Sequence, residues 1–173
     1  MLLVGLQSDC SPTNSTVYNI GDKGPAGGVV FYLTDNSGIH GLESAPVDQS
    51  SGAIWGCTGQ TILDARNSSV GTGATNTMVI VSTCNENNIA AKIADTYTLN
   101  GYSDWFLPSK DELNLMYLQK DIIGGFVVST YWSSTQIDNS FAWDQYIASG
   151  LNSGMQDLYA KAAALPVRAI RAF

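Results

Sequence analysis

Between Phe141 and Ala148 the chain alternates in a way that only a strand can use, and this constrains the fold more than any other stretch. Strand side chains alternate with period two, which sets Phe141, Trp143, Gln145 and Ile147 on one face and Ala142, Asp144, Tyr146 and Ala148 on the other. Trp143 and Ile147 are then expected in the core, with Asp144 and Tyr146 pointing out. Tyr131 and Trp132, ahead of Ser133, Ser134 and Thr135, read as a second strand. The β-branched and apolar Val167 to Ala172 reads as a closing one. Three such strands imply an antiparallel sheet. Its connections, Ile137 to Ser140 and Leu151 to Pro166, are rich in small residues, and loops carried on a rigid sheet are where binding concentrates.

The 173 residues suffice for one domain with its own core. Charged residues make up only 13% of the chain, well below the roughly 25% of an ordinary soluble domain. Ser, Thr, Asn, Gln and Gly must therefore cover the surface. The net charge of −7 repels phosphate backbones and anionic lipid, so nucleic acid is not an expected partner. The chain holds three cysteines, Cys10, Cys57 and Cys84, and one histidine, which excludes a zinc-type cluster on supply alone. Cys57 and Cys84 read either as a disulfide pinning a long loop or as two buried free thiols. Met1 to Leu6 is apolar but lacks the basic flank and length of a signal peptide, and no run approaches a membrane-spanning helix. Residues 1–17 read as a lead-in and 18–173 as a single domain.

Within that domain, 21-GDKGPAGG-28 reads as a turn feeding a strand at 29–33, since it carries no phosphate-loop lysine and no GxGxxG. A hairpin turn at Thr34 to Gly38 returns the chain along His40 to Ala45. His40 reads as structural or surface, because Glu43 falls on the opposite strand face. Pro46 to Gly73 reads as a loop anchored by Trp55. Helices are expected over Thr75 to Ser82 and over 88–97, the second with Ile89, Ile93 and Tyr97 on one stripe. Trp105 to Leu107 reads as a short buried strand stopped by Pro108. Ser109 and Glu112 have the spacing of a capping box and start a third helix with Leu113, Met116 and Tyr117 inward. Asp111 and Glu112 are adjacent on that helix and diverge too far to act as a catalytic dyad. Arg168 and Arg171 are expected to pair with acids such as Asp104 or Glu112.

The blocks IGDKGPAGGVVFYLTD, HGLESAP, WGC, GTGATNT, AAKIAD, GYSDWFLPSKDELNLMY, YWSST, AWDQ and VRAIRAF together resemble a bacterial and phage domain family. That family is typified by the C-terminal domain of the Legionella collagen-like adhesin. The resemblance covers Tyr18 to Phe173 and implies an α+β class of C-type lectin-like fold, with small antiparallel sheets, two or three helices and long loops. It extends to the variable proteins of diversity-generating retroelements, in which adenine-directed mutagenesis rewrites positions framed by AWxQ, GxQxxxxK and VRAVRAF. Here Ala142-Trp143-Asp144-Gln145, Gly154-Met155-Gln156 with Lys161, and Val167 to Phe173 stand in that pattern. Met155 departs from it, and Leu151 to Ser153 resembles an insertion.

Adenine randomisation of an Asn codon never yields Lys, Gln, Glu, Trp or Met. Trp132, Gln136, Trp143, Gln145, Gln156 and Lys161 therefore belong to the fixed frame. The resemblance implies a ligand-binding surface built from Ile137, Asp138, Asn139, Ser140, Phe141, Asp144, Tyr146, Ala148, Met155, Asp157, Leu158 and Tyr159. Tyr, Ser, Asn and Asp suit a paratope, giving adaptable hydrogen bonds around rigid aromatic anchors, here Phe141, Tyr146 and Tyr159. The competing reading is an ordinary solvated loop surface.

The implied function is recognition of a protein or glycan on a cell surface, with no cofactor and no metal, from an extracellular, cell-surface or phage-particle location. Oligomers would add avidity. A fixed glycan-binding adhesin is the alternative, although the EPN, QPD and WND motifs of calcium-dependent sugar binding are missing. The formylglycine-generating enzymes share the broad fold, but no cysteine follows Cys84, so catalysis is not expected.

Overall fold

The computed structural model describes residues 16–173. The expectations for the apolar start of the chain and for Cys10 lie outside them. The fold is α+β, with three small antiparallel sheets. Strands β1 (Val29–Leu33) and β2 (Gly41–Ser44) form the expected hairpin, and β8 (Ile170–Ala172) pairs with β2 through Leu42 and Ala172, Glu43 and Arg171, Ser44 and Ile170. Strands β3 (Ser50–Ala53) and β7 (Leu165–Val167) form a two-stranded ladder. Strands β4 (Ser129–Gln136), β5 (Phe141–Ile147) and β6 (Gln156–Ala160) make the third sheet in that order.

Several expectations need correction. Val167 to Ala172 is not one closing strand: β7 and β8 part at Arg168 and join different sheets. The third strand of the β4–β5 sheet is instead β6, from the stretch expected to be loop. β3 likewise falls where loop is expected, because Ser50 to Ala53 carries no apolar alternation and acquires its ladder only from β7. Trp105 to Leu107 forms no strand, only an isolated bridge between Phe106 and Ile170.

Helix α1 spans Gly73–Thr83, α2 Ala90–Asp95, α3 Lys110–Leu118 and α4 Lys120–Ile123, one more than the two or three expected. The α3 capping box is complete: the Ser109 side chain accepts from Glu112 N at 3.3 Å, and Ser109 N donates to Glu112 at 2.7 Å. Glu112 also accepts from Gly71 N at 2.8 Å. It is therefore committed to backbone donors and pairs with neither arginine. Its burial pushes the carboxyl pKa up, against the pull of those bonds.

Two apolar clusters hold the elements together. One packs Trp55, Trp105, Trp132, Ile80, Ile89 and the α2 alanines; the other packs Phe31, Leu42, Leu113, Met116, Tyr131 and Ile170. Tyr97 stacks edge-on to Trp105 with ring centroids 5.2 Å apart, so the expected stripe of α2 does face the core. Cys57 and Cys84 form a disulfide that closes the loop from the Trp55 region to the end of α1.

Both C-terminal arginines are buried in ion pairs. Arg171 meets Asp104 at 2.5 Å as expected, and also Glu43 at 3.1 Å. Arg168 pairs with Asp48 at 2.7 Å and donates to the carbonyls of Ala45, Gly124 and Gly125. Glu43 accepts from Ala26 N and Gly28 N as well, which fixes the glycine-rich entry turn. A Cβ at Gly28 would lie 2.6 Å from the Ser44 carbonyl, so only glycine fits that approach.

Candidate functional site

The β4–β5–β6 sheet obeys period two, but neither of its faces is uniformly core. Trp132, Asp144 and Asp157 are cross-strand partners and share one face; Trp143 and Leu158 share the other. On the second face Ile147 is buried, yet Trp143 is only half-buried under the Lys110 ammonium, 4.1 Å from its ring centroid, and Phe141 is exposed. On the first face Trp132 and Ala142 are fully buried, and Asp144 is only 3% exposed. The expectation that Trp143 lies in the core and Asp144 points to solvent is therefore wrong. The sheet is flanked on both sides, by α3 on one face and the tryptophan cluster on the other, so each face is closed at one end and open at the other.

The open end of the first face is a concavity of about 370 Å³. Five of the expected residues line it: Asp144, Tyr146, Met155, Asp157 and Tyr159. Thr130, Leu151 and Asn152 complete it and are not among the expected residues. The signal for the last two lies in the flanking Gly150 and Gly154, both at positive φ, which bring the 148–155 connection back over the sheet. Gly154 N donates to the Tyr146 carbonyl at 2.8 Å and Tyr146 N to the Met155 carbonyl at 2.9 Å, which fastens that loop to β5. A Cβ at Gly154 would collide with the Tyr117 ring, so the loop seats directly on α3.

The remaining expected residues lie elsewhere. Ile137, Asp138, Asn139 and Ser140 form the β4–β5 connection, where Asp138 accepts from the backbone of Ser140 at 2.7 Å and Phe141 at 2.8 Å. Those bonds hold its carboxyl below the usual carboxylate range and give it a turn-forming role. Phe141 and Leu158 sit on the opposite face, exposed by 41% and 38%, and do not join the concavity. Ala148 is buried and lines a separate cleft with Phe126 and Val128, apart from the concavity.

Five of the expected frame residues make side-chain hydrogen bonds, most of them to backbone carbonyls. Trp132 Nε1 donates to the Ala53 carbonyl at 2.8 Å and Gln136 Nε2 to the Ile62 carbonyl at 2.6 Å. Gln145 donates to Asn114 and the Gly154 carbonyl, and Gln156 to the Lys110 carbonyl. Lys161 donates to Gln136 Oε1 at 2.7 Å and to the Gln60 carbonyl at 3.0 Å. Tyr159 meets Trp132 edge-on at 6.3 Å, linking the concavity to the frame.

Asp144 lines the concavity, and its Oδ2 is buried without a hydrogen-bond partner. Burial, and secondarily the charge of Asp157, pushes the Asp144 carboxyl up to about 7. His40 is exposed and lies outside β2. The cluster of Cys57, Cys84 and Glu86 offers no free thiolate, because both sulfurs are in the disulfide. Among the described residues no helix is long and apolar enough to cross a membrane.

No family model matches the chain, and no curated protein does. Among solved structures it is similar in fold to a fimbrial protein from Bacteroides ovatus ATCC 8483, with a TM-score of 0.57 and 13% identity. The likeness covers 83% of this chain and 43% of that protein, so the chain spans less than half of its length.

Proposed function

We propose that this chain is a C-type lectin-like recognition domain, the variable protein of a diversity-generating retroelement, which binds a protein or cell-surface target through its 131–173 region. One observation carries the reading. Trp132, Gln136, Gln145 and Lys161, types that adenine randomisation of an Asn codon cannot produce, are all fully buried in the frame. Asp144, Tyr146, Asp157 and Tyr159, types that it can produce, converge on one concavity. Such a division lets the ligand-facing side chains change while packing and hydrogen bonds stay fixed. The small sheets with long connections agree with a lectin-like frame, and likeness to a fimbrial protein agrees with a place at the cell surface.

The test is to sequence the gene's genomic surroundings for a near-copy of the Tyr131 to Phe173 coding segment beside a reverse transcriptase. Differences confined to adenines, and including the codons of the concavity, are the expected result. If no such copy exists, the retroelement reading fails and a fixed-specificity, glycan-binding adhesin takes its place.

A further inference from the structure

The concavity has a chemistry more specific than a generic paratope. Its lining includes two carboxylates: Asp144 on β5 and, directly across in register, Asp157 on β6. None of its lining residues is basic. Lys110 and Lys161, both in contact with frame side chains, are engaged with Trp143 and with Gln136 and Gln60. A buried carboxylate oxygen normally has a partner, because leaving one unpaired is costly. Asp144 is 3% exposed and its Oδ2 has none.

From this we infer that the concavity is a subsite for a basic side chain, an arginine or lysine projecting from a protein partner. The inference rests on the recognition reading above and names what that surface takes. The guanidinium or ammonium supplies the missing partner of Asp144 and is neutralised jointly by Asp157. Tyr146 and Tyr159 offer aromatic walls to a cation, and Met155 and Leu151 offer apolar surface to its methylene stem. A calcium ion fits less well, since it seeks six to eight oxygen ligands and this lining includes a thioether and an aliphatic side chain. The net charge of −7 steers a basic partner surface toward the domain.

The titratable groups facing Asp144 are Asp157 from β6 and the phenols of Tyr146 and Tyr159; β4 presents Trp132 and Thr130, which do not titrate. A cation entering the site favours the ionised form of Asp144 and displaces its proton. Affinity therefore rises with pH through about 7, the value of the empty site.

The experiment titrates the isotopically labelled protein with Nα-acetyl-arginine amide and Nα-acetyl-lysine amide, with Nα-acetyl-glutamine amide as the uncharged probe, following backbone amide signals. Expected are saturable shifts at Asp144, Tyr146, Met155, Asp157 and Tyr159 with the basic amides only. Binding should be at least about tenfold weaker in Asp144→Asn and at pH 5.5, measurably weaker in Asp157→Asn, and unchanged in Asp95→Asn. Asp157 is exposed, so its variant keeps the test valid should Asp144→Asn fold poorly. Equal response to all three amides, silence to all three, or saturation by calcium chloride in place of the basic amides would overturn the subsite. A silent titration together with an adenine-differing gene copy would sink this inference alone, whereas a missing copy with a positive titration would leave it standing and remove the retroelement reading.

Discussion

Lys161 Nζ donates to Gln136 Oε1 at 2.7 Å, joining two fully buried residues at the ends of the two outer strands, β4 and β6, of the β4–β5–β6 sheet. The same ammonium lies 4.5 Å from the Trp55 ring centroid and caps the Gln60 carbonyl. One side chain thus ties the β4–β5–β6 sheet to the disulfide-closed loop. Lys161→Met removes the donor for two acceptors, and each unpaired buried polar group costs about 1 to 3 kcal/mol. Urea unfolding should show a loss of that order, whereas a midpoint equal to the parent's would mean the contact is dispensable.

The same lysine gives stability a pH dependence. Burial lowers its pKa to about 8, with Arg66 adding to the shift and Asp138 opposing it. The unfolded chain, with an ordinary lysine near 10.4, binds more protons between these values. Lys161 therefore makes the fold more stable as pH rises from about 8 toward 10. Denaturant midpoints at pH 7.5 and 9.5 should climb in the parent relative to Lys161→Met. Parallel slopes would contradict this.

Asp144 acts in the opposite window. Its folded pKa, raised by burial and Asp157, is about 7 against 3.8 for the ordinary group. The folded state binds more protons between those values, so the stability Asp144 confers is complete below about 4 and is lost as pH rises through 7. Asp144→Asn should flatten that decline, making the variant the more stable form at pH 8. Thermal melts from pH 4.5 to 8 on both proteins check it.

Asp48 is the shared acceptor of Arg168, whose side chain has no solvent exposure, and of the Tyr131 hydroxyl at 2.8 Å. Asp48→Ala leaves a buried guanidinium uncompensated, which costs about 3 to 5 kcal/mol. Tyr159→Ala and Asp157→Asn, on the rim of the concavity, should each shift stability far less, Asp157→Asn by within about 0.5 kcal/mol. Comparable losses at Asp48 and Asp157 would erase the distinction between the buried ion pair and the rim of the concavity.

The Cys57–Cys84 bridge predicts a labelling pattern. Alkylation of the unfolded, unreduced chain should leave Cys57 and Cys84 unlabelled, and after reduction should label both. Closing a loop of this size contributes about 3 to 4 kcal/mol in the chain-entropy treatment. Reductant should lower the urea midpoint accordingly, and labelling of both before reduction would exclude the bridge.

The sequence by itself determined the features that depend on neighbours a few residues apart. The Ser109–Glu112 cap, the glycine turn before β1 and the partition of β5 into two faces follow from local geometry and are all present. The frame residues, by contrast, are singled out by the family resemblance and not by local geometry; of them Trp132, Gln136, Gln145 and Lys161 are buried. What only the tertiary structure decided is which end of each sheet face is covered. Asp144 and Trp143 exchange their expected environments because α3 and the tryptophan cluster close opposite faces of one sheet. β6 forms despite its polar sequence because β5 offers a free edge, and Pro166 conceals β7, since proline argues against a strand when read without its partner. Asp48 and Glu43 meet their arginines across more than a hundred residues, as the numbering itself shows. Such pairings arise when packing removes water from both partners, and chain-local rules carry no information about which surfaces will meet.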